Sequence, residues 1–188
     1  LILMFFAFPA FLLGLPPSPV PLCLLPFSVL LRLSSILDVP FNDADIEIER
    51  AAKLSIPEIF ECHGEKFFRD KEDQVIKRLL KERPCVLATG GGAFVNTKIR
   101  TTIKHYGVSV WLNADIETLW NRVKHKRSRP LLRTDNPRQT LTNIYTDRIE
   151  TYSLADVTIE SLGKSSLEEM ANLVIKSLLD RNDLIERA

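Results

Sequence analysis

The chain predicts an α/β fold, a parallel sheet covered by helices on both faces. Short apolar runs at Cys85–Ala88, Val108–Leu112 and Val157–Glu160 are bounded by turn residues and have the length of buried strands. Between them, Phe68, Val75, Ile76, Leu79 and Leu80 recur at helical spacing from Glu65 to Glu82. Three of the seven glycines, Gly90 to Gly92, stand together just past the first of these runs. Glycine lets backbone amides come close to a ligand because no Cβ intervenes. A strand that runs into such a corner presents those amides at the carboxyl edge of a sheet, where α/β proteins bind small polar molecules.

Each element has its own local cause. Val39-Pro40-Phe41 is a short extended piece leading to Asp43 and Asp45. Ile46, Ile48, Ala51, Ala52 and Leu54 then predict a helix, with acidic residues in its first turn complementing the helix dipole. Pro57 suits the start of the next helix, where a missing amide proton costs nothing. Pro84 stops the amphipathic stretch. Asn96 predicts an N-cap for a helix through His105, which Gly107 ends. Asp115 opens a helix carrying Ile116, Leu119, Trp120 and Val123. The polar, basic stretch of about 124–138 predicts a lid loop, followed by a helix over Gln139–Thr151. Ser165 and Glu168 form a capping box for a last helix running to about Arg181.

Composition bounds the function. The 188 residues suit one domain with a sizeable core. A net charge of +1 gives no footing for nucleic-acid binding. Cys23, Cys62 and Cys85 are odd in number and lack CxxC spacing, which suits reduced thiols in the cytoplasm. His63, His105 and His125 are scattered, against a zinc site. The averages hide a seam, however. Leu1 to Leu31 carries no charge and holds six of the eleven prolines. Those prolines argue against a spanning helix, and the absence of a basic leader argues against a secretory signal. The chain opens on Leu1 rather than methionine, so its displayed start is not taken as the natural one.

Several residues bear chemistry. Asp43 and Asp45, two apart at a strand end, point in different directions: one toward a metal-bound water, the other toward a substrate hydroxyl. They also satisfy a simpler reading, an N-cap and a dipole-favoured acid. Arg69 offers a planar fork for a carboxylate, with Glu72 at i+3 either pairing with it or orienting it. Gly90–Gly92 fails the G-x-G-x-x-G fingerprint because Val95 stands where the last glycine is needed, and a plain tight turn remains open. The basic run Lys124-x-Lys126-Arg127-x-Arg129 is a local anion clamp or a solvated helix end. Arg148 and Tyr152 share a helix face at i and i+4, which surface decoration also explains.

In this order the residues resemble shikimate kinase. The matching stretches are Val39-Pro40-Phe41-Asn42-Asp43-Ala44-Asp45, Ile59-Phe60-Glu61, Gly64-Glu65, Phe68-Arg69-x-x-Glu72, Leu87-Ala88-Thr89-Gly90-Gly91-Gly92, Arg129-Pro130-Leu131-Leu132 and Asp147-Arg148, within about Asp38 to Leu179. The resemblance is to bacterial members and implies a P-loop kinase-like fold of the nucleoside monophosphate kinase type. It implies ATP- and Mg2+-dependent transfer of the γ-phosphoryl group to the 3-hydroxyl of shikimate, in chorismate and aromatic amino-acid biosynthesis, by a cytoplasmic monomer. Under it Asp45 holds the accepting hydroxyl and takes its proton, and Asp43 holds magnesium through water. Arg69 and Arg148 grip the shikimate carboxylate, and Gly90, Gly91 and Gly92 line the ring. Arg129 neutralises the transferring phosphoryl, and Arg122 lies against the nucleotide.

The pattern departs from the family at its start. A Walker A lysine belongs roughly 15–18 residues before Asp43. The window Leu25–Ser28 contains neither lysine nor glycine; the first lysine is Lys53, and Gly14 is the only glycine before Gly64. Glu150 also stands where the family usually has proline. Residues 1–37 therefore read as an aberrant segment replacing the usual strand and phosphate loop, ahead of a kinase domain over 38–188. A degenerate terminus and an apolar anchor are the competing explanations. The expectation is poor ATP binding, and the alternative function is a catalytically impaired shikimate-binding homologue. Another P-loop kinase of small metabolites would share the fold but gives no reason for Phe68-Arg69 together with Arg148.

Overall fold

The computed structural model describes residues 3–7, 25–124, 134–160 and 166–180. Five parallel strands form one sheet in the order β2-β3-β1-β4-β5. They are β1 (Leu3–Ala7), β2 (Phe41–Asp43), β3 (Val86–Thr89), β4 (Val108–Asn113) and β5 (Val157–Glu160). β1 is the middle member, with Leu3 opposite Val86 on one side and Val108 on the other. The first segment thus supplies the central strand, and it also supplies helix α1 (Leu25–Ile36).

The period-two alternation of the strands sorts their side chains onto two faces. Val86, Val108, Val110, Leu112, Val157 and Ile159 pack against α1 and α8 (Leu167–Leu179), beside Val29, Leu33, Ala171 and Val174. Leu87 and Trp111 point to the opposite face, into a core with Ile48, Ile59, Phe68, Ile76, Leu80, Phe94, Ile103 and Tyr152. That second core is covered by α2 (Ala44–Ala52), α3 (Ile56–Glu82), α4 (Gly91–Val95), α5 (Thr97–Tyr106), α6 (Ile116–Val123) and α7 (Pro137–Tyr152).

Most helix starts follow the sequence. Asn96 accepts from the Lys98 amide, and Asp115 accepts from the Thr118 amide. Ser55 and Glu58 make a reciprocal capping box that spans Pro57 in the first turn. The last capping box differs by one residue from the expectation: it is Ser166 with Glu169, not Ser165 with Glu168. Glu168 is instead held by Arg32 of α1 through two 2.9 Å bonds across the α1–α8 face. The helix expected over Gln139–Thr151 starts earlier, at Pro137, because Asn136 caps it through the Gln139 amide. The expected lid is shortened accordingly, and residues 125–133 of it lie outside the described residues. α3 is two helical segments joined across a kink at Gly64 (φ 77°, ψ 176°), a conformation open to glycine alone.

Candidate functional site

The chain order of the strands fixes where a ligand sits. The connection from β1 leads toward β2, whereas that from β3 crosses to β4 on the far side of β1. The crevice beyond the carboxyl ends of β3 and β1 is the topological switch point, the usual ligand position in open α/β sheets. Gly90–Gly92 follow β3 there, and Asp43 ends the neighbouring β2.

Asp43 and Asp45 are not both on the strand tip. Asp43 is the N-cap of α2: its Oδ1 accepts from the amides of Asp45 (2.8 Å) and Ile46 (3.2 Å). Asp45 belongs to the first turn of that helix. The correction follows from helix geometry, since a cap residue that turns the chain at 43 leaves 45 already helical. Both acids are buried, with Asp45 8% exposed. Burial raises the Asp43 carboxyl above its ordinary range, against the pull of the two amides. Burial also pushes Asp45 well up, reinforced by the charges of Asp43, Glu72 and Glu49 and opposed by Arg69. These two carboxylates are held in a place that favours a cation or a proton.

Arg69 stands on α3 opposite this pair. Its Nη1 donates to Glu72 Oε2 at 2.8 Å, and Nε and Nη2 both reach Glu65 Oε1 at 3.3 Å. Glu72 is 2% exposed; burial raises its carboxyl, and Arg69 pulls it back. The guanidinium also lies 5.1 Å from the Phe68 ring centroid. A Cβ added to Gly92 would meet Nη1 at 2.8 Å and Nη2 at 3.0 Å. The fork therefore rests directly on bare backbone at 92, and a side chain there would push the guanidinium away.

The triple glycine is more than a tight turn. Gly90 is extended (φ −62°, ψ 146°) and caps α4, which Gly91 and Gly92 begin. α4 follows β3 directly and packs against α3, α5, α7 and β1. Arg148 lies on α7, half-buried, and its partner Tyr152 is fully buried rather than decorative. The Tyr152 ring lies 5.7 Å from that of Trp111, and its hydroxyl is raised by burial and lowered by the adjacent Arg148. The structure thus brings Asp43, Asp45, Arg69 and Gly92 into one electrostatic cluster and puts Arg148 on a helix packed against the glycine corner. Arg122 falls in α6, and Arg129 lies outside the described residues.

Sequence reasoning missed two members of the cluster. Glu65, at i−4 from Arg69, gives the fork its second carboxylate. Glu49 Oε1 accepts from the Ile56 amide at 2.9 Å and ties α2 to the start of α3. The spacing of Glu65 was a usable signal; that of Glu49 across a loop was not.

Among the described residues, no group of three or more His, Cys, Asp and Glu is placed to hold a metal ion. One open carboxylate suits Mg2+, which keeps several waters and takes its remaining ligands from phosphate. Asp43 meets that need, because only Oδ1 is used by the helix amides and Oδ2 accepts no bond from the described residues.

The sheet order, with its ligand position at the switch point, places the chain in the α/β class of the P-loop kinase fold. Residues 29–179 match the family described as shikimate kinase. A shikimate kinase of Ruegeria pomeroyi is 55% identical over 154 residues, 82% of this chain and 79% of that protein. One of Cereibacter sphaeroides is 53% identical over 150 residues, 80% and 75% of the two chains. Among solved structures, shikimate kinase from Acinetobacter baumannii in complex with shikimate is 30% identical, with a TM-score of 0.80 over 96% of this chain and 94% of that one. The chain belongs to the shikimate kinase family.

Proposed function

We propose that this protein transfers the γ-phosphoryl group of ATP to the 3-hydroxyl of shikimate, giving shikimate 3-phosphate and ADP. The observation that carries the reading is the contact of the Arg69 fork with Gly92 beside two buried acids, within a chain of this family. The relative crystallised with shikimate supports the same ligand here.

Each residue then has a task. Arg69, pre-oriented by Glu72 and Glu65, takes the carboxylate as a bidentate pair, and Arg148 supplies a second cation. The amides of Gly90, Gly91 and Gly92 line the ring's other side. Asp45 holds the accepting hydroxyl, and its raised basicity suits it to take the proton that leaves as the new P–O bond forms. Mg2+, held through water by Asp43, would neutralise phosphate charge when bound. Arg129 and Arg122 belong to the nucleotide side of this scheme. Such chemistry rests on positioning and charge stabilisation.

We take the protein to be cytoplasmic and monomeric, with shikimate and ATP as its partners and no nucleic acid. Among the described residues, no helix is long and apolar enough to cross a membrane. We also keep residues 1–37 apart from 38–188 as a replaced start, although β1 is the middle strand of the sheet and α1 packs on its face. In favour of this, residues 1–28 lie outside the family match and no charge precedes Arg32, although the match itself takes in residues 29–37. With no lysine before Lys53 in this sequence to hold the phosphates, weak ATP binding is the expected outcome.

A coupled assay of ADP release tests the proposal. Shikimate-dependent turnover is expected, with half-saturation by ATP above about 1 mM, the upper end of common KM values. ADP release independent of shikimate, or tight Mg-ATP binding by calorimetry, contradicts the respective part.

A further inference from the structure

The glycine corner is held from behind by a residue that the reaction does not touch. α4 has only five residues, Gly91–Val95, and two of them are glycine. One turn of helix is marginal by itself, and its last carbonyls lack intrahelical partners. Arg100 of α5 supplies them. Its Nη1 donates to Phe94 O and to Val95 O, both at 2.7 Å, and its Nη2 donates to Thr97 Oγ1 at 3.0 Å. The guanidinium carbon lies 5.9 Å from the ring centroid of Phe94, a side chain buried in the core. The carbonyl of Ala93 is taken by the Asn96 amide at 3.1 Å. The carbonyl end of α4 is thereby closed, with a cation at the negative end of the helix.

The opposite end of the same turn carries Gly92, the floor under the Arg69 fork. α4 is too short to absorb a shift at one end without passing it to the other. We infer that Arg100 is a positioning residue for substrate binding: by holding the Phe94 and Val95 carbonyls it sets the height of the glycine corner against which Arg69 rests. A lysine at 100 keeps the charge but has no planar fork to reproduce this bonding while also reaching Thr97. This inference rests on the reading of Arg69 as the carboxylate clamp.

The test is calorimetric titration of shikimate into the full chain, at a temperature well below unfolding and without nucleotide. Arg100→Lys is expected to weaken shikimate binding about 3- to 10-fold, and Thr97→Val by a smaller factor in the same direction. In an Arg69→Ala background, Arg100→Lys is expected to add nothing, because the fork it positions is gone. A purely structural role predicts lowered thermal stability with unchanged shikimate affinity, and that result overturns the inference. Equal loss in both backgrounds overturns it too. Should Arg100→Lys fail to fold, unchanged affinity in Thr97→Val overturns it, and weakened affinity upholds it. If Arg69→Ala itself leaves affinity unchanged, the clamp reading falls first and takes this inference with it. If Arg69→Ala weakens binding and Arg100→Lys does not, the inference alone falls.

Discussion

Gly92→Ala separates binding from folding at a single methyl group. The new Cβ would stand 2.8 Å from Arg69 Nη1, about 0.6 Å inside the 3.4 Å at which ordinary contact begins. The guanidinium is the mobile partner, so it must retreat. Its retreat stretches the 2.8 Å bond to Glu72, or swings the fork toward Glu65. A charge-assisted hydrogen bond contributes about 1.5–3 kcal/mol, and spoiling half of a bidentate pair costs roughly 1.4 kcal/mol, a factor of about ten. The net change in the fold is small, because a gain of about 0.5–1 kcal/mol from Gly→Ala inside a helix offsets part of the cost of stretching the pair with buried Glu72. Titration calorimetry with shikimate, run beside thermal unfolding, is expected to show about tenfold weaker binding with little change in stability. Unchanged affinity combined with lowered stability would refute the reasoning.

Gly64→Ala should give the opposite pattern. No atom lies within 4 Å of its added Cβ, yet φ 77° with ψ 176° is strained for any side chain, so unfolding experiments should show a loss of about 1–3 kcal/mol. Asp45→Asn should abolish phosphoryl transfer while stabilising the ligand-free protein at neutral pH. Burial raises the Asp45 carboxyl, so its contribution to stability is fully present below the unfolded value near 3.8 and is lost as pH rises through the folded one. The variant's advantage in melting temperature should therefore be largest near pH 7 and shrink toward pH 4; an advantage that is flat with pH would contradict this. Cutting the α1–α8 bridge by Arg32→Ala should lower the melting temperature at low salt, and added salt should erase the difference, because both partners are largely exposed. A salt-independent loss would show that Arg32 acts by packing instead.

Much of the fold was legible because its signals are local. Asn96 and Asp115 mark helix starts through side-chain oxygens that accept from amides two and three residues on, and Pro57 through the amide proton it lacks. The errors arose where a distant partner decides. Ser165-Ser166 and Glu168-Glu169 offer two capping boxes at the same spacing, and the choice falls to Arg32, 136 residues away from Glu168. α4 was hidden because glycine is a poor helix former, and its turn survives through Arg100, which local propensity does not register. Leu3–Ala7 gave no strand signal apart from apolarity, and its place in the middle of the sheet follows from pairing with β3 and β4. The site fared similarly. The Arg69–Glu72 pair is readable at i+3, whereas the contact of Arg69 with Gly92 joins segments 23 positions apart in the sequence.

The central claim is that one cationic fork and a glycine corner select a cyclic carboxylic acid. Titration of shikimate into the full chain and into Arg69→Ala, in the same buffer, tests it most directly. One-to-one saturable binding that Arg69→Ala weakens at least tenfold is the predicted result. No saturable binding by the unaltered chain, or equal affinity in the two proteins, would contradict the account.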